Sequence, residues 1–245
     1  MQIIPLSEGA FSIDGSKQFV PFDKAGDDIQ SRPVGSLLVE VQPFVVVTSE
    51  DVLLIDTGLG FMTDGELQLH KNLRAAGIAP EKITKVLMSH LHKDHAGGVS
   101  YVNAATGKRE ISFPQATYYI QKAEFVYARE KGFPSYLMDE LACLEQAPNI
   151  VWLEGDGVID GYIKYRVDGG HAPWHQSFTI VDGGEIVFFG GDNAPQLQQM
   201  KSKFVAKYDY DGKKAMELRQ QWWADGQAAG WKFLFYHDIK IPVFG

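Results

Sequence analysis

Cysteine is nearly absent from this chain: Cys143 is the single one in 245 residues. One thiol cannot close an internal disulfide, so nothing covalent marks an oxidising compartment. Cys143 falls in a helix-like stretch and reads as an inert core thiol. Basic residues are also scarce, 23 Lys and Arg against 31 Asp and Glu, giving a formal charge of −8. That balance argues against a nucleic-acid surface, which is usually basic. No apolar run is long enough to span a bilayer. Residues Met1 to Glu8 lack the basic-then-apolar pattern of a secretory signal. Low-complexity tracts, linkers and short repeats are missing as well. These absences lead us to expect a soluble cytoplasmic protein, monomeric or homodimeric, with no nucleic-acid or membrane partner. The 45% hydrophobic content can build a sizeable core, and one domain over residues 1–245 is expected.

What the chain does have is histidine and aspartate in a concentrated pattern. His90-Leu91-His92-Lys93-Asp94-His95 puts three imidazoles and a carboxylate within six residues, after the apolar run Val86 to Met88. Imidazole and carboxylate are the usual zinc ligands of a hydrolytic site. Four in one cluster exceed the three protein ligands of an ordinary mononuclear catalytic zinc, which points to two metals. On a helix His92 would diverge from positions 90 and 94. On an extended segment His90 and His92 share a side. A strand over 83–88 followed by a loop fits the spacing, with Asp94 and His95 at a turn through Ala96-Gly97-Gly98.

The rest of the chain alternates strands and helices. Leu37 to Val47 and Val52 to Ile55 read as strands from their Val, Ile and Leu content. Leu67 to Ala76 reads as a helix closed by Gly77, and Ser135 to Leu144 as another. Later strands run over 150–153, 162–167, 177–181, 185–189 and 232–236, with a helix over 213–228. Three more ligand-type residues, His171, Asp192 and His237, stand at strand ends, where loops commonly present catalytic groups. Hairpin signals such as Asp182-Gly183-Gly184 break the parallel pattern, so mixed sheets flanked by helices are expected.

The motifs Asp56-Thr57-Gly58, His90-x-His92-x-Asp94-His95, Gly170-His171-Ala172-Pro173-Trp174-His175, Gly191-Asp192 and His237 occur in an order that resembles the metallo-β-lactamase fold superfamily. The resemblance covers nearly the whole chain. It implies an α/β fold: a four-layer αβ/βα sandwich of two mixed β-sheets flanked by helices. It implies two divalent metal ions, Zn2+ first with Fe, Mn or Co as alternatives. His90, His92 and His171 would hold one ion and Asp94, His95 and His237 the other, with Asp192 bridging. Asp94 and Asp192 would also be the catalytic carboxylates, beside a bridging hydroxide. Asp56 and His175 would support the ligands from behind, although Asp56-Thr57-Gly58 reads equally as an ordinary turn.

Within the superfamily the chain is similar to the N-acyl homoserine lactonase branch. The implied reaction is opening of an N-acyl homoserine lactone, or of a related lactone or ester. Thioesterase and phosphodiesterase activities of the same fold are alternatives, as is a catalytically silent metal-binding module. Well-known lactonases carry a Tyr shortly after the bridging Asp, and here Asp192 is followed by Asn193-Ala194-Pro195. Tyr208, Tyr210 and Tyr236 are candidates to replace it. Phe61, Met62, Trp174 and Tyr236 are candidates for a substrate-pocket wall, as are Trp222 and Trp223; ordinary core packing is the competing reading. His70 is expected to face solvent and Lys93 to point away from the metals.

Overall fold

The computed structural model describes all 245 residues. Two six-stranded mixed sheets form its centre. In the first, the spatial order is Gln2–Pro5, Phe44–Val47, Val52–Ile55, Lys85–Leu87, Thr117–Gln121 and Ile150–Leu153. The first three of these pair antiparallel and the rest parallel. In the second, Gly157–Ile159, Ile163–Val167, Gln176–Asp182 and Glu185–Phe189 form an antiparallel meander. Lys232–Leu234 then joins parallel to Glu185–Phe189, and Val243–Phe244 closes the edge.

Side-chain alternation decides how the layers stack. Phe44, Val46, Leu53, Ile55 and Leu87 point to one face of the first sheet and meet Ile163, Phe178, Ile180, Val187 and Phe189 from the second. Their neighbours Val45, Leu54 and Val86 point to the opposite face, against Leu69 and Leu73 of the helix Gln68–Ala75 and Phe125 of the helix Lys122–Lys131. This is the two-residue period of strands buried on both faces. On the outer face of the second sheet, Phe188, Phe233 and Phe235 pack on Trp222 of the long helix Gly212–Ala229. The result is the expected helix, sheet, sheet, helix sandwich. No helix is long and apolar enough to cross a membrane.

Several expectations change. Leu37 to Val47 is two strands, Leu37–Val41 and Phe44–Val47, in different sheets. Pro43 has no N–H to donate to a ladder, and Gln42 turns inward to donate to the carbonyls of Phe235 and Asp238, both at 2.9 Å. The helix expected over 135–144 shrinks to Met138–Leu141 followed by a tighter turn over Ala142–Glu145. His70 does not face solvent: it is buried, its Nε2 lies 3.0 Å from the Ser112 carbonyl, and the rings of Tyr101 and Phe113 flank it. Trp222 is core.

Candidate metal centre

The strand Lys85–Leu87 ends just before the histidine cluster, and the chain stays extended as far as His92, which caps a short helix over Lys93–Ala96. That helix turns Asp94 and His95 back under His90. The turn needs close backbone contact: a Cβ on Gly98 would sit 2.1 Å from the Thr57 carbonyl oxygen. Here the Asp56-Thr57-Gly58 segment meets the cluster, with Thr57 N–H donating to the His95 carbonyl at 2.7 Å.

Seven side chains converge in two groups, His90, His92 and His171 in one and Asp94, His95, Asp192 and His237 in the other. Within each group one donor atom per residue lies within 4.8 Å of the others. His92 Nδ1 is 3.0 Å from both His90 Nε2 and His171 Nε2. Three ring nitrogens directed at one point suit a cation better than one another. Asp192 spans the two groups. Its Oδ2 faces His171 Nε2 at 3.3 Å, while its Oδ1 lies 3.0 Å from His95 Nε2 and 3.1 Å from His237 Nε2. Asp94 Oδ2 is 3.4 Å from His237 Nε2. His95 Nε2 and Asp192 Oδ1 are buried without an aligned hydrogen-bond partner, a costly state unless another group completes them. The donor set, its convergence and these orphaned atoms fit two divalent cations.

A second ring of contacts aims the imidazoles. Asp56, with a left-handed backbone at φ 56°, accepts from His95 Nδ1 at 2.7 Å and from the Ser89 N–H and hydroxyl, each at 2.7 Å. Asp209 accepts from His171 Nδ1 at 2.7 Å, and the Glu40 carbonyl from His237 Nδ1 at 2.6 Å. Each contact fixes the tautomer that leaves Nε2 free for a metal. His175 Nε2 accepts the Asp192 N–H at 3.1 Å. A Cβ on Gly191 would collide with that ring nitrogen at 2.4 Å, so only glycine fits there.

Electrostatics agree with this division. Burial pushes His90 and His92 well below the ordinary imidazole range, and neighbouring histidines add to it. Burial also opposes charge on His95, but Asp192, Asp94 and Asp56 outweigh it and raise its pKa well above normal. His171 and His237 are likewise raised, burial being overcome by Asp192 first. For Asp192, burial is outweighed by His237, His95 and His171, and its pKa falls well below the carboxylate range. The centre therefore favours positive charge between its carboxylates. His175 is held neutral by burial and by His171, its pKa pushed down to about 3.

A cavity of about 680 Å³ opens over the cluster and is lined by His92, Asp94, His171, Asp192 and His237. Phe19, Leu38, Val39 and Phe204 supply apolar wall. The expected pocket residues lie elsewhere. Phe61 and Met62 line a separate groove with Phe11 and Phe22. Trp174 is 43% exposed and outside the cavity lining. Tyr236 is fully buried beneath the centre, stacked on His95 with ring centroids 4.0 Å apart, and its hydroxyl donates to the Asp94 carbonyl at 2.6 Å. Tyr208 lines the cavity and Tyr210 does not. Lys93 also lines it, from the first position of the helix Lys93–Ala96, with its ammonium 5.8 Å from the centre of the Phe19 ring.

Sequence reasoning missed Asp209 and Arg219. Arg219 is fully buried on the long helix and donates to the Asn193 carbonyl at 2.7 Å, pinning the turn that carries Asp192. Neither lies in a recognisable motif; the only available signal was an Arg within an otherwise amphipathic helix.

Comparison with known proteins accords with this geometry. A region of 119 residues is 29% identical to the N-acyl homoserine lactonase AttM of Agrobacterium fabrum, covering 44% of this chain and 40% of that relative. Less than half of that relative's length is thus matched. An N-acyl homoserine lactonase of Bacillus cereus is 27% identical over 187 residues, 66% of this chain and 68% of the relative. A crystal structure of a probable metal-dependent hydrolase from Staphylococcus aureus superposes with a TM-score of 0.78 at 22% identity, covering 99% of this chain and 91% of that one. The family model described as the metallo-beta-lactamase superfamily matches residues 39–222. With that match across most of its length, the chain belongs to the metallo-beta-lactamase superfamily.

Proposed function

We propose that this protein is a two-metal hydrolase that opens a lactone, an N-acyl homoserine lactone or a related lactone or ester. One observation carries the reading: two ligand groups joined by Asp192 lie at a part-apolar cavity. His90, His92 and His171 would hold one ion, and Asp94, His95 and His237 the other, zinc being the first candidate. Bound there, two divalent cations polarise the scissile carbonyl and lower the pKa of water.

The chain's own groups do the rest. Asp56, Asp209 and the Glu40 carbonyl hold three imidazoles in the ligating tautomer. With Asp94 Oδ2 directed at His237, we assign Asp94 Oδ1 to taking the proton of the attacking water and returning it to the departing ring oxygen. The water oxygen joins the acyl carbon, the ring C–O bond breaks, and a hydroxy acid results. Tyr208, 44% exposed on the cavity wall, has its pKa pushed up to about 12, first by desolvation of its hydroxyl. It stays protonated at neutral pH and can donate to a substrate oxygen. The apolar wall suits an acyl chain.

The test is a hydrolysis panel of lactones, thioesters, phosphodiesters and β-lactams on metal-loaded protein. A lactone should give the highest kcat/KM. Background rates on every lactone beside efficient cleavage of a thioester or phosphodiester would overturn the reading.

A further inference from the structure

The chain is acidic, yet its cavity is not. Lys17, Arg32, Lys93 and Lys207 all line the space over the metal centre, and none forms an ion pair. Some cations elsewhere do sit on carboxylates, as Lys85 does on Asp51 at 2.5 Å and Lys24 on Glu40 at 3.0 Å; what sets these four apart is that they share one cavity. Three carboxylates share the lining, and none is in ion-pair contact with the four cations. Asp94 and Asp192 belong to the ligand cluster, and Asp14 is committed to its own turn, accepting from the Ser16 N–H at 2.9 Å and hydroxyl at 2.6 Å.

Ser135 holds the ammonium of one of these cations and the backbone of another. Lys17 Nζ donates to the Ser135 hydroxyl at 2.5 Å, and the Lys93 N–H donates to the Ser135 carbonyl at 2.8 Å. The Lys93 ammonium stands 5.8 Å from the centre of the Phe19 ring, another lining residue. Lys17 is also in the left-handed backbone region, φ 58°. That conformation costs a residue with a Cβ about 1–2 kcal/mol and ordinarily selects glycine or asparagine. Such strain persists where the surrounding structure enforces it, often at ligand clamps. Here it holds an unpaired ammonium over the cavity beside a second one. Two like charges near one another, neither in ion-pair contact with a carboxylate, can receive an anion.

We propose that the substrate carries an anionic group, a carboxylate or phosphate, in addition to the bond that is hydrolysed, and that Lys17 and Lys93 receive it. The proposal rests on the two-metal hydrolase reading for where the reacting end lies. It narrows the substrate class from a neutral acyl lactone to an acidic lactone or ester whose apolar body lies along the cavity wall. Arg32 and Lys207 add positive potential on the approach to the same space, which also favours capture of an anion.

Equilibrium binding tests this apart from turnover. The probes are γ-hydroxy acids, the ring-opened form of γ-lactones, with tails of stepped length ending in a carboxylate, a phosphate or a neutral carboxamide. They are titrated into metal-loaded protein by calorimetry. At low salt an anionic tail should bind about tenfold more tightly than the matched amide, the worth of one charge-assisted contact. The gain should shrink as salt rises. It should shrink in Lys17→Gln and in Lys17→Gly, which relieves the backbone strain and so guards against a folding defect, be lost when Lys93→Gln is added, and survive in Lys17→Arg. A larger gain for phosphate or for carboxylate identifies which anion is native. Equal binding of amide and anionic tails at every length, or a gain undiminished in Lys17→Gln and Lys17→Gly, would overturn the proposal. If the gain is present but no lactone is hydrolysed, the anion subsite stands and the lactone reading falls.

Discussion

At the scale of single residues, Asp56 is a sharp example of a side chain that works through another. It occupies a left-handed backbone position and spends its carboxylate on Ser89 and on the Nδ1–H of His95. Substituting Asn keeps the shape but weakens the hold on the imidazole, and loss of such a partner typically costs 10–100-fold in metal affinity or activity, so a loss of roughly that size is expected. Competition with a chromogenic chelator should report it; parental affinity in Asp56→Asn would remove the positioning role. Glu8 makes a separate prediction. Burial raises its pKa from 4.5 to about 7, despite the Leu59 N–H that it accepts. The folded state therefore binds more protons than the unfolded state between these values, and stability falls as pH rises through that window. The cost, fully developed above the folded pKa, is roughly 3 kcal/mol. Glu8→Gln should flatten this decline in denaturant unfolding followed from pH 5 to pH 8. An unchanged slope would contradict the assignment.

Elements explain which features could be read in advance. The strands over 150–153 and 185–189 were legible to the residue because their apolar runs end at turn residues. The break at Pro43 was not, since the flanking Val residues continue the same pattern while the chain passes between sheets. Gln2–Pro5 and Gly9–Ile13 went unread because each is short and gains its stability from strands distant in sequence, Phe44–Val47 for the first and Leu37–Val41 for the second. In the candidate centre, the ligand types were legible from the one dense cluster and from strand ends. Lys17, Asp209 and Arg219 were not, because each reaches the cavity or the ligands from an unrelated loop or helix. Arg219 also yields a prediction for its helix. Arg219→Leu leaves the carbonyls of Asn193 and Phe204 without their donor in the interior. Unfolding should be easier by about 2–4 kcal/mol, and metal should bind more weakly because the turn carrying Asp192 loses its anchor. A stability change without any change in metal affinity would confine Arg219 to packing.

Taken whole, the molecule brings candidate ligands from both sheets to one edge of the sandwich: His90 to His95 follow the strand Lys85–Leu87, and His171, Asp192 and His237 follow strands of the second sheet. Metal binding should therefore tie the two halves together. Ions that bind only the folded chain stabilise it by about 2.7 kcal/mol per site at a hundredfold excess over Kd, so a chelator should lower the melting temperature and zinc should restore it. The central claim is that seven side chains form one dinuclear centre. Elemental analysis of protein purified without chelator, before and after loading with excess metal and gel filtration, tests it most directly. The account predicts about two equivalents per chain, with a marked loss in Asp192→Ala, where the bridging carboxylate is gone. A reproducible single equivalent, unchanged by added metal and indifferent to Asp192→Ala, would contradict it.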